Sequence, residues 1–394
     1  KLNYRKLFRE HKIVRDLSLV QFIEYFGAWF SNVAIYTMLV DFGSTEMAIS
    51  IVTAMHFLPA ILIAPFSGAI IDRVKIKPLM VTLLCTELLM TLLFLTINDK
   101  SQIWLLMILI FIRMSAASMF FSTEMSLLAK LLNGKPLQMA NEIHSIIWSF
   151  TYAVGMALSG FIVNSFGYKT AFMLDAFVFT LALIVFIRID FVVKASITSD
   201  KIMELIKDGF FYIKNNKIML HLIFLHSCVG LTSFDALITI LAKNEYKYII
   251  SVPLAIGLSN AVRAVALMIG PSTISKYVTK ENLHFLMIFQ GITIIFWGLT
   301  QSNFYISLVS LFFVGLSTTT LWSFTYALIQ NKCDEKYIGR VISYNDMIFM
   351  LSCVLTTLFI GLMASLTSTD IITILLGVGF LAFAFYYKRI LKWI

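Results

Sequence analysis

Apolar residues fall in long runs, separated by short polar segments rich in charge. Twelve runs stand out, at roughly 16–40, 48–71, 78–97, 103–129, 137–165, 170–189, 219–241, 250–275, 283–300, 304–330, 338–366 and 370–391. Each is long enough to cross the ~30 Å hydrocarbon core of a bilayer as a helix. Runs longer than 25 residues predict tilt or protrusion. The longest polar stretch, 188–217, divides the runs six and six. Within it, 199–215 reads as an amphipathic helix capped by Ser199, with Ile202, Leu205, Ile206, Phe210 and Ile213 on one side. The pattern predicts an all-α membrane protein of twelve transmembrane helices. An amino-terminal six-helix lobe covers 1–187, a cytoplasmic linker 188–217 and a carboxy-terminal six-helix lobe 218–394. Faint echoes link the halves: Ile112–Met119 aligns with Val314–Leu321, and Pro65 with Pro271. Such repeats place a binding site where the lobes meet, near mid-membrane.

Composition agrees, at 59% hydrophobic and 13% charged residues, against about 25% charged in soluble domains. Charge placement sets the orientation. Of 31 Lys and Arg, 25 fall in segments on the side of the termini. The opposite loops hold only Lys100, Lys169, Lys243 and Lys247, and Arg113 and Arg263 lie inside spans. Basic loops stay cytoplasmic, so both termini should be cytoplasmic. The net charge of +9 then faces anionic lipid and gives no reason to expect a nucleic-acid partner. A multi-pass monomer in a bacterial inner (plasma) membrane is expected. Lys1 to Arg15 read as a basic amphipathic segment without a cleavage site. The cysteines, Cys85, Cys228, Cys333 and Cys353, have neither disulfide nor metal-ligand spacing.

Ionisable groups inside a membrane are costly, so each is a candidate for function. Glu24 lies nine residues into the first run, roughly 13 Å deep at 1.5 Å per residue. Gln21, Glu24, Ala28 and Ser31 form one polar stripe. Arg113 lies at similar depth in the fourth run, on a face with Glu124. Glu24 reads as either a coupling or substrate residue or a static partner, with Arg113 at matching depth expected to pair with it. Glu142, His144 and Asp346 read as gate contacts, a proton relay or packing. Arg263 and Asp346 could meet other charges across the second lobe, and Asp235, near the outer end of its run, reads as an outer gate residue. Asp175 reads as structural, and Glu87, His56 and His226 as local partners. No nucleotide-binding loop, hydrolase elbow, zinc motif or C-x-x-C is present, so neither an ATP motor, an enzyme nor a resident metal or cofactor is expected. A receptor or membrane-embedded enzyme is the contrasting class, and paired intramembrane charges argue against it.

Several stretches carry a resemblance to the major facilitator superfamily. Gly68-Ala-Ile-Ile-Asp72-Arg73-Val-Lys75-Ile-Lys77 resembles its loop between helices 2 and 3, G-x-x-x-D-R-x-G-R-[RK], with matches at Gly68, Asp72, Arg73 and Lys77. The resemblance implies a conformational latch there. Gln21–Ser31, Phe57–Lys77, Leu174–Ala176 and Ile338–Ser343 are similar to the drug:proton antiporter group that includes macrolide-efflux and siderophore-export proteins, which usually carries Ser at the Glu24 position. Arg113 resembles the span-4 arginine of that group, and Gly155–Gly160 its motif G-P-x-x-G-G. The resemblance implies efflux of amphipathic or cationic small molecules, driven by the proton gradient. A transporter of one specific solute, such as a siderophore, lysophospholipid or metal ion, is the alternative.

Overall fold

The computed structural model describes residues 4–132, 134–193 and 202–394. The first half contains α1 (Tyr4–Glu10), α2 (Lys12–Asp41), α3 (Glu46–Ala54), α4 (Leu58–Arg73), α5 (Ile76–Leu93), α6 (Ile103–Leu131), α7 (Gly134–Phe166) and α8 (Tyr168–Ile187). After α9 (Ile202–Asn215), the second half contains α10 (Lys217–His226), α11 (Asp235–Leu241), α12 (Val252–Ile274), α13 (Leu283–Thr300), α14 (Phe304–Lys332), α15 (Ile338–Ala364) and α16 (Thr369–Ile390). The predicted fold class holds: the chain is all-helical, with twelve crossings in two lobes. Among the described residues, eleven helical stretches are long and apolar enough to cross a membrane. The twelfth, α2, has 30 residues. Its apolarity is diluted by Gln21, Glu24 and Ser31, all buried inside the protein.

Two crossings are broken. The second run divides into α3 and α4 at Met55–Phe57. The amides of His56 and Phe57 donate three residues back, to Thr53 and Ala54 (3.0 and 3.1 Å), and Pro59 brings no amide to continue the ladder. The seventh run, expected to be continuous over 219–241, is also discontinuous. A 3-10 stretch, Ser227–Thr232, joins α10 to α11. Ser227, Gly230, Thr232 and Ser233 are poor helix formers, and their hydroxyls compete for backbone groups. Freed carbonyls find partners: Ser352 Oγ donates to Ser227 O (2.8 Å) and Thr232 Oγ1 to Val229 O (2.7 Å). Non-helical backbone at membrane depth requires such satisfaction.

The lobes meet along two seams, α7 against α12 and α3–α4 against α15. In the first, Gly160 and Gly257 lie back to back. A Cβ on Gly160 would sit 2.7 Å from Pro253 O, and one on Gly257 2.6 Å from Met156 O. The small residues of Gly155–Gly160 thus serve close packing: Gly155 meets Trp29, and Ser159 Oγ donates to Phe30 O (3.2 Å). On the side opposite the termini, α11 also packs on α2 and α3. There Lys243 Nζ meets Glu46 Oε1 at 3.1 Å and Ser44 O at 2.7 Å. No comparable packing joins α6 to α14 or α15 among the described residues. The lobes are therefore closed on the outer side.

The linker helix α9 docks on the second lobe. Asp208 meets Arg340 at 3.5 Å, and Tyr344 Oη donates to Ile206 O at 2.8 Å. Gly209 and Ile213 face the lobe, whereas Phe210, expected on the same side, is exposed. Ser199, its expected cap, lies outside the described residues.

Replacing Gly257 with Leu should force the α7–α12 seam apart. Overpacking costs about 1–3 kcal/mol, so the purified variant should unfold at a lower temperature than wild type. An unchanged melting temperature would show that the seam is slack.

Candidate functional site

The amino-terminal lobe has two apolar cores with a polar layer between them. One core, nearer the termini's side, contains Val20, Leu84, Phe120 and Phe179. The other contains Phe30, Met90, Ile110 and Phe172. On four helices the residue between the two sets is ionisable: Glu24 on α2, Glu87 on α5, Arg113 on α6 and Asp175 on α8. Glu124 lies one turn beyond Phe120 on α6. All five are at most 7% exposed.

Arg113 does not pair with Glu24 as expected. Its Nη2 lies 2.8 Å from Asp175 Oδ2, which also accepts from Ser31 Oγ. The guanidinium lies 5.6 Å from the Phe94 ring centroid and 5.5 Å from that of Phe179. Asp175 reaches this place because α8 packs directly on α2: a Cβ on Gly27 would fall 2.8 Å from Asp175 Oδ1. Arg113 is thus engaged by Asp175, and Glu24, Glu87 and Glu124 make no ion pair among the described residues. Glu24 is within electrostatic reach of Glu87, Glu124, Arg113 and Asp175. Gln21 turns its amide toward Glu124 without closing an ordinary hydrogen bond. Glu24 Oε2, Glu87 Oε1 and both Glu124 oxygens are buried without a hydrogen-bond partner.

A second polar group lies between the lobes, where the two broken crossings face each other. Asp235, first residue of α11, is within electrostatic reach of Tyr36, His56 and Tyr152. Tyr36 stacks on His56 with centroids 6.0 Å apart. Arg263 lies 5.3 Å from the Phe234 ring centroid, with its Nη1 unpartnered. Tyr152 Oη donates to Asn260 Oδ1 across the seam (3.2 Å). Further toward the termini's side, aromatics gather on each lobe. Trp29, Trp148 and Tyr152 cluster in the first, with centroids 4.5–6.2 Å apart. In the second, Trp322, Tyr326 and Phe349 surround His226 at 5.6–5.7 Å.

Of the remaining expected residues, Glu142 and Lys77 lie apart from these groups, whereas His144 borders Tyr25 and Asp346 is within electrostatic reach of Tyr326. Glu142 is exposed and accepts from Tyr4 Oη at 3.0 Å; this bond holds the Tyr4 hydroxyl above the usual phenol range. His144 packs against Tyr25 and Phe121 (5.7 and 5.3 Å). Asp346 sits beside the Asn345 amide at 3.5 Å. Lys77 donates to Ile189 O at 2.8 Å and faces Asp190 at 3.8 Å, tying the start of α5 to the end of α8. The side chains of Gly68, Asp72 and Arg73, the rest of the expected latch, lie outside the description. Sequence reasoning undervalued Glu87, Asp175 and His56. Their signal was present, since each is a lone ionisable residue in an apolar run.

This architecture is that of a two-lobed secondary transporter, with discontinuous helices at the lobe interface. A profile of the Major Facilitator Superfamily matches residues 17–357, and the chain belongs to that family of transporters. It is 26% identical over 222 residues to the uncharacterized MFS-type transporter YfiS of Bacillus subtilis (strain 168), covering 55% of this chain and 52% of YfiS. The chain thus spans about half the length of that relative. It is 24% identical over 418 aligned positions to the uncharacterized MFS-type transporter YkuC of the same organism, covering 98% and 94% of the two chains. Two crystal structures of the nucleoside transporter NupG share the fold. Their TM-scores are 0.78 and 0.75 at 12% and 11% identity, covering 95–96% of this chain and 99% of theirs.

Asp175→Ala should leave Arg113 buried without its anion, at a cost of about 3–5 kcal/mol. Thermal melting should record a large loss of stability. Adding Arg113→Met should recover much of it, because the stranded charge is then gone. A double variant no more stable than Asp175→Ala would refute this account.

Proposed function

We propose that the chain is a proton-coupled exporter of amphipathic or cationic small molecules, working by alternating access between its two lobes in a bacterial plasma membrane. One observation carries this reading: Glu24 is buried near mid-membrane while the nearby guanidinium is already held by Asp175. A carboxylate so far from water is neutralised by a proton or by a cation. Exchange of that positive charge between the two faces of the membrane is what couples a gradient to transport. The substrate class rests on the aromatic groups around Trp148 and Trp322, whose ring faces suit cations and flat apolar bodies. Asp235 and Asp346 add carboxylates that favour cations. The export direction follows the similarity of Gly155–Gly160 and Arg113 to the antiporter group. Monomeric action is part of the same proposal.

The test is transport in proteoliposomes under an imposed pH gradient. Wild type should move a lipophilic cation against its gradient only when ΔpH is present. Glu24→Gln should still exchange substrate but lose the ΔpH-driven accumulation. A panel including nucleosides, lysolipid, a siderophore and divalent metals separates the specific-solute alternative. Normal pumping by Glu24→Gln would overturn the role of Glu24.

A further inference from the structure

Besides Glu24, two more glutamates are buried in the same lobe, Glu87 in the polar layer and Glu124 one turn beyond Phe120 on α6. Glu24, Glu87 and Asp175 lie within electrostatic reach of one guanidinium, which Asp175 holds at 2.8 Å, and Glu124 is within reach of Glu24. The three glutamates are 4%, 3% and 0% exposed, and each has at least one oxygen without a hydrogen-bond partner. They come from three different helices, so the fold gathers them within one lobe, away from the interface where Asp235 and Arg263 lie. The groups facing them are Gln21 and Tyr25 from α2, Arg113 from α6 and Asp175 from α8. His56, between α3 and α4, is within electrostatic reach of Arg113. Among the described residues, no three His, Cys, Asp or Glu side chains are arranged to hold a metal ion.

We propose that Glu24, Glu87 and Glu124 form a single proton-binding site inside the amino-terminal lobe, so that Glu87 and Glu124 are coupling residues alongside Glu24. Glu24 is within electrostatic reach of both Glu87 and Glu124, and carboxylates so linked in a dry interior do not ionise independently, so their protons belong to the group. Gln21 and Tyr25 are the polar neighbours through which a proton passes between Glu24 and Glu124. Arg113 and Asp175 are the fixed counter-pair that sets how many positive charges the group needs. This inference rests on the proton-coupled reading for its place in the cycle, but the existence of the site is tested without transport.

The experiment is infrared titration of the purified wild-type protein, with and without 13C-labelled glutamate. Protonated carboxylic acids give carbonyl bands apart from those of carboxylates, and the label shifts glutamate bands while leaving Asp175 and Asp346 in place. Wild type should show protonated glutamate at neutral pH. Glu87→Gln and Glu124→Gln, near-isosteric changes checked by thermal melting, should each remove one residue's share and shift the titration of the others. Both should also lose ΔpH-driven accumulation, and Glu87→Asp should restore part of it. The proposal is overturned if wild type lacks protonated glutamate. It is equally overturned if both variants leave the remaining bands and the pH profile of transport unchanged, or if sodium at constant pH displaces the signal. If the shared bands are present but no compound moves with ΔpH, the site stands and the proton-coupled reading fails.

Discussion

The Arg113–Asp175 ion pair is the contact on which the arrangement of the first lobe depends. Burying either charge alone would cost several kcal/mol, and burying both is tolerable only with near-ideal geometry and further hydrogen bonds. The surroundings meet those conditions. Ser31 donates to the same carboxylate oxygen, two phenylalanine rings flank the guanidinium, and Gly27 lets α8 come close enough to deliver the acid. The pair therefore fixes the relation of α2, α6 and α8 at one depth. It also decides the state of the other acids. An arginine committed to Asp175 is not free to pair with Glu24 or Glu87, and the proposed proton coupling rests on that shortage of positive charge.

The second constraint is backbone continuity. A membrane helix breaks only where other groups take up the freed donors and acceptors. Both breaks meet that condition locally, through three-back bonds at His56 and Phe57 and through Ser352 and Thr232 at the seventh crossing. The consequence is positional. Asp235 starts a short helix beside the kink that carries His56, and Tyr36 of α2 lies within reach of both. A polar group thus forms between lobes that are packed backbone to backbone at Gly160 and Gly257.

Much of this was legible in the chain. The twelve runs, the asymmetry of Lys and Arg, and the latch-like loop ending at Lys77 defined the class of fold, because hydrophobic length and charge placement are set by the bilayer rather than by details of packing. Glu24, Arg113 and Gln21 were singled out by the cost of polar groups in lipid. Their pairing was not legible. Position along a helix gives depth, but the choice between Glu24 and Asp175 depends on how closely α8 packs on α2, and that closeness is allowed by a missing Cβ at Gly27. The break at Ser227–Thr232 was hidden for a related reason. Its residues are weak helix formers singly, and only the neighbouring Ser352 makes the non-helical path affordable in lipid.

The two polar groups are joined by α2. Toward the lobe interior this helix presents Gln21, Glu24 and Ser31. On other faces it presents Trp29, which packs on Tyr152 and Gly155, and Tyr36, which packs on His56. A helix held on one side by the ion pair and on the other by the lobe interface cannot shift at one without load at the other. Loss of a positive charge from the glutamates would leave anions facing Asp175 and loosen its hold on Arg113, by the same electrostatics that bind the pair. That change reaches α2 through Ser31, at the depth where α2 meets the interface. In the cycle we propose, proton and substrate need not touch the same residue for one to bias the other. They need a common rigid element with two differential contacts, and α2 is placed to be that element.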